Sequence, residues 1–195
     1  MQKSVGSVST LVIVLLGLAF SVAAPQSREV TATEGFQDPT VAPDGTRIAF
    51  ALYGKIWLVP TAGGDARQVT FGSGWDSHPA WSPDGRFIAY AHLRPGRAEL
   101  VVHSLESGGE RTLYVVNTDL SESLSLPLEE QKEIGQMAWR PNASEIVFLV
   151  KTDQYSAHLW SVPLGADGRA KQLTRGASMM EWSFAIAPDG QQAAV

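Results

Sequence analysis

The sequence predicts an all-β chain built from repeated four-stranded antiparallel units, and three observations carry that expectation. A thirteen-residue phrase occurs twice, as "DPTVAPDGTRIAF" from Asp38 to Phe50 and as "HPAWSPDGRFIAY" from His78 to Tyr90. Its central turn recurs as "APDG" at Pro43, "SPDG" at Pro83, "RPNA" at Pro141 and "APDG" at Pro188, at intervals of 40, 58 and 47 residues. A second module follows the first three turns: "KIWLVPTAGGDARQVT" (Lys55 to Thr70), the looser "ELVVHSLESGGERTLY" (Glu99 to Tyr114) and "HLWSVPLGADGRAKQLT" (His158 to Thr174). Each hairpin plus each strand–turn–strand module makes a unit of four strands. Four-stranded units of about 40–45 residues are the signature of a β-propeller blade.

The turn has a physical logic. Proline presets φ at the second position, the short Asp or Asn side chain bonds back to local backbone, and Gly takes the positive φ that closes the hairpin. The third copy places Ala143 where Gly stands elsewhere, so that turn is expected to differ slightly. Apolar stretches precede each turn ("TVA", "AWS", "MAW", "FAIA") and strands follow it ("TRIAFALY", "RFIAYAHL", "SEIVFLVK", "QQAAV"). These define blades at about 36–74, 75–114, 135–176 and 177–195. The last stops inside its second strand, so the expectation is an incomplete propeller of about three and a half blades, part of a longer chain.

The 58-residue interval holds an insertion over 115–134, in which "LPLEEQKEI" suits a short helix with Pro127 near its start and acids in the first turn. Such a loop either contacts a partner or is a plain surface excursion. Ahead of the first blade, "REVT" ending at Thr31 matches "RQVT" and "KQLT". The leader 24–35 is therefore expected to supply a ring-closing outer strand, or else to be disordered.

Residues 1–23 have one early cation, Lys3, an apolar stretch from Leu11 to Phe20 and then small residues. That is the plan of a signal peptide, with cleavage expected between Ala23 and Ala24; the alternative is an uncleaved N-terminal anchor. The stretch is short for a span of about 20 residues. An exported, periplasmic or secreted bacterial protein follows, with no membrane association after cleavage. The chain has no cysteine, which excludes disulfides, thiolate zinc sites and cysteine nucleophiles. Its net charge is −5 with no basic cluster, which argues against nucleic acid as a partner.

No catalytic, cofactor or metal set emerges. The histidines (His78, His92, His103, His158) are not paired at ligand spacing, and there is no G-x-S-x-G, phosphate loop or H-E-x-x-H. Trp81, Trp139, Trp57 and Trp160 fall at repeat-equivalent positions and are expected in the core. One polar pattern stands apart. Five residues before each turn proline stand Asp38, His78, Gln136 and Ser183, each opening an inner strand; Asp76 and Glu181 stand seven before. Inner strands line a propeller's channel, so these six are the candidate channel-rim binding residues, for a small ligand, a cation or a peptide end. Strand-end capping is the competing structural reading. Under the binding reading, exchanging Asp38 and His78 for Ala weakens binding with stability nearly unchanged.

"HPAWSPDGRFIAY" together with "GGDARQVT" resembles the TolB-type propeller repeat, related to the WD repeat, over about Arg28 to Val195. The whole pattern also resembles the N-terminal propellers of secreted amidohydrolases and tricorn-like peptidases. That resemblance implies a non-catalytic module that binds protein, peptide or small-molecule ligands beside a downstream catalytic domain, with no cofactor of its own. It places none of those families' catalytic residues on this sequence. The alternatives are a free-standing periplasmic TolB-like interaction protein, although only about a dozen residues here stand where TolB carries an α/β domain, and a propeller enzyme with its site in the channel.

Overall fold

The computed structural model describes residues 36–117, 133–153, 156–165, 168–175 and 183–194. The signal peptide, the leader, Glu181 and all but the last two residues of the expected short helix lie outside these residues; those two, Glu133 and Ile134, open a strand instead. The described residues form strands only, in three four-stranded antiparallel sheets and one two-stranded hairpin. Among them no helix is long and apolar enough to cross a membrane.

The first sheet runs β1 (Phe36–Val41), β2 (Arg47–Leu52), β3 (Lys55–Pro60) and β4 (Arg67–Gln68), each paired with the next. The second runs β5 (Trp75–Trp81), β6 (Phe87–Arg94), β7 (Arg97–Ser104) and β8 (Glu110–Asn117). The third runs β9 (Glu133–Trp139), β10 (Glu145–Asp153), β11 (Ser156–Pro163) and β12 (Lys171–Gln172). The hairpin of β13 (Ala185–Ile186) and β14 (Ala193–Ala194) opens a fourth. Sequential meanders of this kind, stacked face to face, are propeller blades. The second blade reaches Asn117 and the third begins at Glu133, so the insertion is shorter at both ends than sequence spacing suggests.

All four turns share one geometry. The residue before the turn proline accepts from the residue three later (Gly45, Gly85, Ala143 and Gly190 donate to Ala42, Ser82, Arg140 and Ala187, at 2.8–2.9 Å). The Asx carboxyl or amide oxygen then accepts the backbone N–H two residues on: Asp44 from Thr46, Asp84 from Arg86, Asn142 from Ser144 and Asp189 from Gln191. Ala143 departs from expectation by keeping the turn unchanged. It adopts φ 55°, beside 71° at Gly45 and 69° at Gly85, and carries the strain of a Cβ in the left-handed region.

Strand alternation explains the packing. On β6, Ile88 and Tyr90 face the first blade, while Ala89 and Ala91 face the third. On β10, Ile146, Phe148 and Val150 face the second blade, while Val147 and Leu149 face the fourth with Phe184. Every described sheet interface therefore owns its own apolar cluster, and each fully buried Ile, Leu or Phe stabilises by about 1.5–3 kcal/mol. Tryptophans lock these interfaces. Trp81 and Trp139 are buried, and their indole N–H groups donate to the preceding blade at Thr40 O and Ala80 O, both 3.1 Å away. Trp57 and Trp160 correct the expectation of full burial. Both are half-buried: Trp57 alternates with the buried Ile56 and Leu58 and so lies on the other face of β3, while Trp160 packs against the edge of the second–third blade cluster beside Tyr114.

Candidate functional site

The polar residues of the inner strands sit at irregularities in the ladder. Register shifts occur between Gln37 and Thr40, between Ser77 and Ala80, and on β9 opposite the Phe148–Val150 step. At the first two, Asp38 and His78 each adopt φ 51°. Asp and His tolerate this left-handed conformation better than most residues, and a bulge re-aims the side chain it carries.

The re-aimed groups meet across blades. Asp38 Oδ2 accepts the His78 backbone N–H at 3.2 Å and lies 3.0 Å from His78 Nδ1. His78 Nε2 lies 3.8 Å from Glu133 Oε1 at the start of β9, within ion-pair but not hydrogen-bond range. Three consecutive inner strands are thus joined by a carboxylate–imidazole–carboxylate chain. Burial alone lowers the proton affinity of His78, but the hydrogen bond to Asp38 and the negative charges of Asp38 and Glu133 outweigh it and push its pKa up to about 9. The same pairing, chiefly the side-chain hydrogen bond to His78, holds the Asp38 carboxyl below the usual range. At neutral pH the cluster therefore holds one imidazolium between two carboxyl groups, all partly open to solvent.

Gln136 does the corresponding work one interface on. Its amide donates to Phe184 O and accepts from Phe184 N, both at 3.1 Å, clasping the fourth inner strand. Ser183 is the exposed neighbour of that clasp. Asp76 is placed differently. It is 1% exposed, and its carboxylate accepts from Thr70 Oγ1 at 2.6 Å, pairs with Lys55 Nζ at 3.4 Å and meets His92 Nδ1 at 2.5 Å. It ties the β4–β5 crossover to both blades rather than facing open space. The structure thus brings Asp38 and His78 together, sets Gln136 and Asp76 in separate contacts, and leaves Ser183 exposed.

Glu133 escaped the sequence reading. It stands eight residues before Pro141, off the repeat position that marks the others, and only the cross-blade approach of β9 to β5 reveals it. A pairing of Asp38 with His78 was latent in the sequence, since both occupy one repeat position on adjacent inner strands. Among the described residues no three His, Cys, Asp or Glu side chains are grouped to hold a metal ion.

Blade meander, turn and inter-blade clasps define this chain as a TolB-like β-propeller with peptidases among its relatives. No family model matches it. In sequence it is 31% identical over 175 residues to the uncharacterized peptidase YuxL of Bacillus subtilis, covering 76% of this chain and 24% of YuxL. It is also 35% identical over 71 residues to tricorn protease homolog 1 of Streptomyces coelicolor, covering 36% of this chain and 7% of that protein. In structure it matches a putative TolB from Agrobacterium tumefaciens with a TM-score of 0.57 at 17% identity, over 80% of this chain and 63% of that one. The matches thus span a quarter or less of these two curated relatives.

Proposed function

We propose that this chain is the non-catalytic propeller of an exported peptidase-like hydrolase, and that the partly exposed Asp38–His78–Glu133 chain receives the cationic end of a polypeptide on its way to a catalytic domain elsewhere in the parent protein. The carboxylate–imidazole–carboxylate chain is the observation that carries this reading. Asp38 Oδ1 and Glu133 Oε2 accept no bond from the described residues, so each has an oxygen left for a donor. An ammonium group prefers such oxygens to bulk water when they are fixed in place and partly desolvated. Kinship with peptidase sequences supports a polypeptide as the ligand class, and the signal-like residues 1–23 support export.

Peptides with free and with acetylated amino termini, titrated into the chain by calorimetry, test the rim. The free-amine peptide binds about tenfold more tightly, and Asp38→Asn with Glu133→Gln removes that preference. Equal affinity for the two peptides would count against this function.

A further inference from the structure

A second binding site emerges from comparing the three blade interfaces at their turn ends. Between the first and second blades, the Arg47 guanidinium lies 4.8 Å over the Trp81 ring and donates from Nη2 to Gly85 O at 3.5 Å. Between the third and fourth, Arg140 donates from Nη1 to Gly190 O while its Nε pairs with Glu145. In both, a guanidinium reaches the carbonyl of the third turn residue of the next blade.

The middle interface differs. Phe87 stands where Arg47 stands in the first blade, and its ring stacks at 6.4 Å on Trp139, the counterpart of Trp81. Ala143 is the counterpart of Gly85 and Gly190, and its carbonyl accepts no bond from the described residues. Here the interface opens into a cavity of about 420 Å³, floored by Phe87, Val102 and Trp139, rimmed by Asp84 and Glu110, and bordered by Ala143. Glu110 is held in place, because its Oε1 accepts from Tyr90 Oη at 2.9 Å and lies 3.2 Å from His103 Nδ1. One cation, Arg111, also lines the cavity; its Nη2 donates to Leu164 O of the third blade at 2.7 Å, which fixes its head at the edge, and its charge offsets one of the two carboxylates.

From this we infer that the cavity between the second and third blades receives the guanidinium of an arginine side chain presented by a partner polypeptide. The stacked Phe87–Trp139 pair, against which the Arg86 guanidinium already lies 5.9 Å from the Phe87 centroid, offers an aromatic surface to a planar cation, the two carboxylates supply opposite charge, and the Ala143 carbonyl supplies the acceptor that a guanidinium finds at the other two interfaces. A cavity of this size lies within the range of small-ligand sites. The site shares no residue with the Asp38–His78–Glu133 chain and does not depend on the role proposed for it.

The test is titration of acetyl-Gly-Arg-Gly-amide into the full chain at low ionic strength, followed by the indole N–H resonance of Trp139, assigned with Trp139→Phe. The Arg peptide shifts that resonance and binds about tenfold or more tightly than the isosteric, uncharged citrulline peptide. Phe87→Arg, which gives this interface the first interface's own arginine, abolishes binding. Glu110→Gln weakens it about tenfold, and decides the matter where Phe87→Arg does not fold. Asp38→Asn leaves it unchanged, which separates this site from the channel mouth. Equal binding of the citrulline peptide, an unmoved Trp139 resonance, or wild-type affinity in folded Phe87→Arg or in Glu110→Gln overturns the assignment.

Discussion

Ala143 shows how a single backbone angle tests the repeat. It holds φ 55° in a turn whose first two copies use Gly, and a left-handed L-residue costs about 1–2 kcal/mol. Ala143→Gly is therefore expected to stabilise the chain by about 1 kcal/mol in urea melts, and Gly45→Ala to destabilise it by about the same. The space around Gly45 is open, with nothing within 4 Å of an added Cβ, so the cost there is conformational alone. His78 gives a pH signature. Its folded pKa lies near 9, above the ordinary 6.5, so its contribution is fully present below about pH 6.5 and is lost as pH rises through 9. Stability should fall by about 2 kcal/mol across that window, and His78→Asn should flatten the slope. Chemical denaturation at a series of pH values measures both. The Asp38→Ala, His78→Ala pair also costs stability, about 1–2 kcal/mol, because Asp38 bonds the His78 backbone as well as its ring. The sequence pointed to a neutral exchange; the bulge that turns Asp38 toward the next blade was not visible in it.

At the scale of elements, the blade interface is the unit of stability. Asp76 anchors one such interface from within, and its removal leaves Lys55 and His92 without their shared carboxylate. Asp76→Asn should cost about 3 kcal/mol, read as a shift in the urea midpoint with an unchanged slope. Trp139→Phe should cost about 1–2 kcal/mol through the lost bond to Ala80 O and the lost contact area. The strands, turns and blade order were legible in the sequence because period-2 alternation and the Pro-Asx-Gly turn are local signals that repeat. Trp81 and Trp139 were legible as packing residues for the same reason. Glu133, the burial of Asp76 and the half-exposure of Trp57 and Trp160 were not. Each depends on how one sheet is laid against the next, and a pattern read along one strand holds no record of that placement. The same holds for the cavity beside Phe87. Its sequence sign is one residue, Phe where the first blade has Arg, and that carries meaning only once Arg47 is seen over Trp81.

For the whole molecule, the stacked blades set three inner strands side by side, so that groups far apart in sequence (Asp38, His78 and Glu133) form one chain of charge. The proposed role follows from that convergence together with peptidase kinship. Export adds its own prediction: expressed with its signal in a bacterial host, the mature chain begins at Ala24, and terminal sequencing that finds Met1 contradicts it. The most direct test of the central claim is hydrolysis of matched free-amine and acetylated peptides by the parent protein expressed from its complete gene, wild type beside Asp38→Asn with Glu133→Gln. The account predicts peptide hydrolysis by the parent, and in the variant a loss of about tenfold in kcat/KM for the free-amine peptide, through KM, with the acetylated peptide unaffected. A parent that cleaves no peptide, or a variant that treats both peptides as the wild type does, would contradict it.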